Sequence, residues 1–205
     1  MSAAPPPHEA VRRRRLQLVA LTALFFGPLV SSAWLYYHGS WRPAGRVNHG
    51  ELIDPPRPLP PLDLATPSGG HTGRSFLHRK WSLVTIAGGA CEARCGEALT
   101  AMQTVRRALD LPGTRVERVL LTDAGGSAVA APSAGPADLL TAWLGPGERR
   151  RLGATLAAAR APTAEAGRIY LVDPHGNLVM SYPPGADPRG VLQDLERLLR
   201  LSSIG

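Results

Sequence analysis

The hydrophobic pattern divides the chain sharply. Residues 16–37, LQLVALTALFFGPLVSSAWLYY, contain no charged side chain. As a helix this run spans about 33 Å, enough for a hydrocarbon core of about 30 Å. Further on, the pattern breaks into shorter pieces. WSLVTIAGG, residues 81–89, reads as a buried strand ending in a glycine turn. Ala98, Leu99, Met102, Val105 and Leu109 then fall on one helical face, which stops at Pro112-Gly113. RVERVLLT, residues 115–122, is a second strand. Residues 136–144 and 146–159 predict two short helices, each with proline in its first turn. Residues 169–172 and 178–182 are β-rich runs flanking DPHG, in which Asp, Pro and Gly stand where a type I turn prefers them. They predict a β-hairpin. Val191, Leu192, Leu195, Leu198 and Leu199 mark a last amphipathic helix, opened by DPR. No internal repeat is present.

The order strand, helix, strand, helical insert, hairpin, helix predicts an α/β protein with a thioredoxin-like fold. In it a central mixed sheet is flanked by helices, with one amino-terminal transmembrane helix added. The βαβ part makes a parallel strand pair and the hairpin an antiparallel one. The chain is thus expected to have four domains: a cytoplasmic basic amino terminus (residues 1–15), a transmembrane helix (16–37), a Pro/Gly-rich tether (38–80) and the thioredoxin-like domain (81–205). The tether reading rests on five prolines in residues 55–61 and on the turn-rich TPSGGHTGR. Such a segment is expected to be an inert spacer.

Charge sharpens the picture at the amino terminus. The net charge is +7, and Lys80 is the only lysine. The arginines are not gathered with aromatics as a nucleic-acid face requires, so no nucleic-acid partner is expected. Arg12 to Arg15 instead precede the apolar run, which places that end in the cytoplasm. Trp34, Tyr36, Tyr37 and Trp41 collect at the other end, as interfacial rings do. A signal peptide cleaved after SSA, residues 31–33, is the competing reading; the apolar run passes beyond that point, which favours a retained anchor. On either reading, residues from about 40 onward cross the membrane. In a bacterium this is a single-pass inner-membrane protein with its carboxy-terminal domain in the periplasm, where thiols can be oxidised.

Both cysteines lie in GACEARCGEAL, as Cys91 and Cys95. The strand ends just before them and the helix begins with them, and a helix amino terminus favours thiolate over thiol. Three intervening residues are one more than the common redox spacing. A disulfide is allowed if Cys91 lies in the turn, whereas a fully helical pair stands at the long end of disulfide geometry. Two soft thiolates also suit Cu(I). Redox pair, copper clamp and structural bridge therefore all stay open at this point.

The residues now in hand resemble the SCO/SenC family of cytochrome c oxidase assembly proteins, in particular its short, divergent proteobacterial members. The resemblance is carried by the single anchor, RKWSLVTI, the Cys-x-x-x-Cys pair with Leu99 and Met102 after it, GELIDPPRPLP and IYLVDPHGNLVMSYPPGADP. It implies copper, held by Cys91, Cys95 and one distant histidine, or thiol-disulfide work on the oxidase copper site. It also implies partners among cytochrome c oxidase subunits or other copper and thiol assembly factors, and the role of assembly factor rather than enzyme. The alternatives are a periplasmic thiol-disulfide oxidoreductase without copper and a non-catalytic docking domain. The family histidine stands at the start of the hairpin, where the matching positions here are Gly167 and Arg168. Arg168 is thus expected to face the thiols. It would stabilise thiolates without ligating copper. His175 sits in the hairpin turn, roughly 15–20 Å along the strand from that end at about 3.3 Å per residue, too far to substitute. His71 and His78 are the remaining candidates for a remote third ligand.

Overall fold

Strand β2, Trp81–Ala87, is buried at every position. A strand can be apolar on both faces only where both are covered, which puts it at the centre of the sheet. The structure, a computed structural model, describes residues 7–38, 48–89, 91–109, 114–123, 138–159, 161 and 166–202. The chain divides into two units, Met1–Arg46 and Val47–Gly205.

The first unit is helix α1, Pro7–His38, with Pro28 inside it. Its stretch Val11–Tyr37 is the one helix among the described residues that is long and apolar enough to cross a membrane.

The second unit is built on a six-stranded sheet. Its strands are β1 (Glu51–Pro58), β2, β3 (Val116–Thr122), β4 (Leu139–Trp143), β5 (Ile169–Val172) and β6 (Asn177–Tyr182), in the spatial order β1-β6-β5-β2-β3-β4. Strand β2 pairs parallel with β3 and β3 with β4, whereas β2–β5, β5–β6 and β6–β1 are antiparallel pairs. The mixed sheet and its hairpin are those expected. Helix α2 (Ala93–Ala108) makes the β2–β3 crossover, α3 (Pro146–Ala158) follows β4, and α4 (Pro188–Leu201) ends the fold.

Alternation along the strands sorts the core into two faces. Trp81, Leu83, Ile169, Leu171 and Met180 pack with Met102 and Val105 of α2 and Leu195 and Leu199 of α4. Val84, Ile86, Val119, Leu121, Tyr170 and Val172 pack on the other face with Leu152 and Leu156 of α3. Helix α4 starts as its sequence predicts, with Asp187 accepting the backbone N–H of Arg189 and Pro188 in the first turn. In the hairpin turn the Gly176 N–H donates to the Asp173 carbonyl, and the Asp173 carboxylate takes the N–H groups of His175 and Asn177.

Two expectations need correction. The segment expected to be an inert tether contributes a strand: β1 lies antiparallel on β6, and Ile53, Leu62, Leu64 and Leu77 enter the core. The folded unit therefore begins well before Trp81. Proline is excluded from central strands because it lacks a ladder donor, but β1 is an edge strand, and its register slips between Leu52 and Arg57 where Pro55 and Pro56 stand. The helix expected over residues 136–144 is the strand β4 over 139–143, and residues 136–137 lie outside the described residues. ADLLTAWL has good helix formers, yet the open ladder of β3 takes all five residues of β4 as partners, so tertiary pairing overrides propensity.

The beginning of β1 is pinned to α4 by a buried carboxylate. Asp194 accepts the backbone N–H groups of His49 at 2.8 Å and Gly50 at 3.0 Å, and the Tyr182 hydroxyl at 3.3 Å. Burial, with the charge of Asp194 beside it, pushes the Tyr182 hydroxyl pKa up, so this phenol stays a donor.

Candidate functional site

The chain leaves β2 at the sheet edge formed by the carboxyl ends of the parallel strands and enters α2 within a few residues. Cys91 precedes the helix, and Cys95 lies in its first turn. With Cys91 outside the helix, the two Cα atoms stand 5.2 Å apart, and the sulfurs are joined in a disulfide. That separation is within the ordinary range for a bridge. In the disulfide neither sulfur titrates.

The two sulfurs differ in access. Cys95 is 2% exposed and packs with Ala87 and Leu120 beneath the helix, while Cys91 is half-buried at the rim. A nucleophile from outside therefore meets Cys91 first.

The approach to Cys91 is held by side chains from other elements. The Thr122 hydroxyl, at the end of β3, donates to the Gly89 carbonyl at 2.7 Å. Arg149, in the first turn of α3, donates from Nη2 to the Ala87 carbonyl at 3.0 Å, and its Nε donates to the Asp123 carboxylate. On the opposite side Gly167 lies against the backbone of Arg94. A Cβ there would stand 2.7 Å from the Arg94 carbonyl oxygen, and the φ of +85° is one that only glycine adopts without strain. None of these four residues belongs to a local motif. A Thr-Asp pair at a strand end and an arginine 26 positions later carry no sequence signal, because only the fold brings them together.

Arg168 does not face the thiols. Its guanidinium donates from Nη1 to Glu51 Oε2 at 3.4 Å, and Glu51 also accepts the Ser181 hydroxyl at 3.2 Å. Ser181 is paired with both Tyr170 and Glu51, so the buried Arg168 and Ser181 and the exposed Glu51 lie on the sheet face shared with Tyr170 and α3. The cysteines lie on the α2 face. Strand alternation is the reason: Arg168 is two residues from Tyr170, while Ile169 points toward α2.

The other histidines are elsewhere. His175 is exposed in the hairpin turn, as expected. His78 packs against Gly176 of that same turn, at the end of the sheet remote from the cysteines. His71 lies 3.5 Å from Asp63. Among the described residues no group of three or more His, Cys, Asp and Glu side chains is placed to hold a metal ion. Neither candidate for a remote third ligand, His71 or His78, forms such a group among the described residues. Reduction of the disulfide leaves two sulfur donors.

A cleft of about 410 Å³ lies between Glu97 and Thr104 of α2, Gly167, and the loop of Pro183, Gly185, Ala186 and Pro188, and neither cysteine lines it.

Fold and site together define a thioredoxin-like domain with a disulfide at its first strand-to-helix junction. Residues 81–202 match the family described as transmembrane-like, thioredoxin-like, C-terminal domain, and the chain belongs to that family. Apo Sco1 from Thermus thermophilus shares the fold with a TM-score of 0.57 at 20% identity, covering 76% of this chain and 99% of its own. Copper-bound Sco1 from yeast gives 0.56 at 16% identity, covering 72% and 95%. BsSco, described as a member of the Sco family of cytochrome c oxidase assembly proteins and as carrying a disulfide switch, gives 0.55 at 14%, covering 72% and 96%. At these identities the likeness is one of fold. No curated protein matches the chain in sequence.

Proposed function

We propose that this chain is a membrane-anchored, Sco-like accessory protein in assembly of the cytochrome c oxidase copper site, working through Cys91 and Cys95. The observation that carries the reading is the bridged pair at the β2–α2 junction of a fold shared with Sco proteins. Helix α1 is the anchor. Arg12 to Arg15 stay on the cytoplasmic side, so the folded domain works in the bacterial periplasm, where its disulfide persists.

The chemistry follows from the unequal exposure of the sulfurs. A partner thiolate attacks Cys91 Sγ, a mixed disulfide forms, and the Cys91–Cys95 bond breaks with Cys95 leaving as thiolate. A second partner thiol then displaces Cys91. The partner's dithiol becomes a disulfide, the chain's disulfide becomes a dithiol, and two electrons and two protons pass to the chain. Run in reverse, the same steps reduce a partner's disulfide and prepare its thiols for copper.

Copper enters as cargo. The reduced pair offers two soft sulfur donors of the kind that select Cu(I). The second reading, thiol-disulfide exchange without copper carriage, is favoured by the lack of a three-residue ligand group among the described residues. A Cu(I) titration of the reduced full chain in detergent, against a chromophoric competitor, separates the two. One-to-one binding abolished by Cys91→Ala supports carriage, and no binding leaves exchange alone. Normal oxidase copper content in cells lacking the protein would refute the assembly role in both forms.

A further inference from the structure

The approach to Cys91 is not fixed by the residues around it. The residue at the α2 amino terminus, Glu92, makes no side-chain capping hydrogen bond, so the start of the helix lacks the usual local lock. The lock comes from outside. Thr122 and Arg149 reach from the end of β3 and the start of α3 to the carbonyls of Gly89 and Ala87, the second and fourth residues before Cys91. Asp123 in turn orients Arg149 through Nε.

We propose that Thr122 and Arg149 are positioning residues that hold Cys91 in the bonding arrangement and so set how strongly the pair favours the disulfide. The inference rests on the thiol-exchange chemistry proposed above and adds what tunes it. The physical argument is one of effective concentration. With the two carbonyls tied, the backbone carrying Cys91 keeps its sulfur within bonding reach of Cys95. Cut a tie, and the reduced chain samples arrangements in which the sulfurs are apart, while the oxidised chain gains no such freedom. The disulfide then becomes easier to reduce. A residue that merely supports the fold stabilises both redox forms alike and leaves their ratio untouched.

The test is equilibration of the full chain in detergent with glutathione and glutathione disulfide, with the reduced fraction trapped by alkylation and read by mass. One chain disulfide and two glutathione thiols give one chain dithiol and one glutathione disulfide, so the constant follows directly. Thr122→Val and Arg149→Met are each expected to lower the equilibrium constant for disulfide formation about tenfold, which is about 30 mV. Thr122→Ser, which keeps the hydroxyl, should stay within about twofold of the parent, on the scale of the lost hydrogen bond. Arg149 is 35% exposed, so Arg149→Met carries the test if Thr122→Val does not fold. Melting of each variant in both redox forms supplies the check. Equal loss of stability in the two forms, with an unchanged constant, overturns the inference. A parent chain whose pair never comes to equilibrium with glutathione refutes the exchange chemistry itself, a different result from an unchanged variant.

Discussion

Replacing Gly167 by alanine tests how the hairpin is fitted to the cysteine helix. Two separate costs act at this position. The φ of +85° is left-handed, and an L residue there loses about 1–2 kcal/mol relative to glycine. The new methyl would also stand 2.7 Å from the Arg94 carbonyl oxygen and 3.1 Å from the Arg94 carbonyl carbon and Cβ. Backbone cannot rotate aside as a side-chain tip can, so either β5 or the first turn of α2 must shift, an overpacking cost of about 1–3 kcal/mol. The sum is about 2–5 kcal/mol, a large part of the roughly 5–15 kcal/mol that holds an ordinary domain together. Gly185 supplies the control. Its φ is +74°, but a methyl there meets nothing within 4 Å, so Gly185→Ala carries only the conformational cost. Urea unfolding of both variants in detergent, followed by tryptophan fluorescence of the folded domain, measures the difference. Gly167→Ala should be the less stable of the two by about 1–3 kcal/mol. Equal losses would refute the contact between Gly167 and the cysteine helix, and with it the account of how the hairpin braces the site.

Two other outcomes are expected from the same structure. The bridge closes a short loop, with a sequence separation of 4, for which chain entropy predicts about 2 kcal/mol of stabilisation; dithiothreitol should therefore lower the melting point of the parent chain and leave that of Cys91→Ser, Cys95→Ser unchanged. Asp138 pairs through both oxygens with Arg118, which is 2% exposed, and this hydrogen-bonded guanidinium holds the Asp138 pKa below its usual value. A lowered carboxylate pKa adds stability above the unfolded pKa of about 3.9 and loses it as the pH falls through the folded value, so Asp138→Asn should cost about 1–3 kcal/mol at pH 7 and progressively less below pH 4; a deficit that does not shrink in acid would contradict the pairing.

The cysteine junction was legible because its signals are local. A continuous apolar run, a pair of glycines, two cysteines and an amphipathic helix succeed one another within about thirty residues, and backbone geometry alone orders them. The hairpin was legible for the same reason, since Asp173, Pro174 and Gly176 write their own turn. The apolar run of α1 needs no partner to be recognised either. By contrast, β1 and β4 exist because β6 and β3 offer open ladders. Nothing in DPPRP or DLLTAW states that such an edge is within reach. Composition suggested a spacer and a helix in those places, and pairing made both into strands.

The candidate site divides in the same way. Chain order alone determined that two thiols stand where a strand gives way to a helix, and that His175 lies at the far end of its hairpin. Tertiary structure decided what surrounds them. It turned Arg168 to the face of Tyr170, where Glu51 pairs with it, and it brought Thr122 and Arg149 to the carbonyls before Cys91. The physical reason is that strand alternation passes a one-residue difference in register to every side chain beyond it, while contacts between residues roughly 30 to 60 positions apart depend on how whole elements pack. A sequence carries the chemistry of such residues, and the packed sheet decides which face they serve.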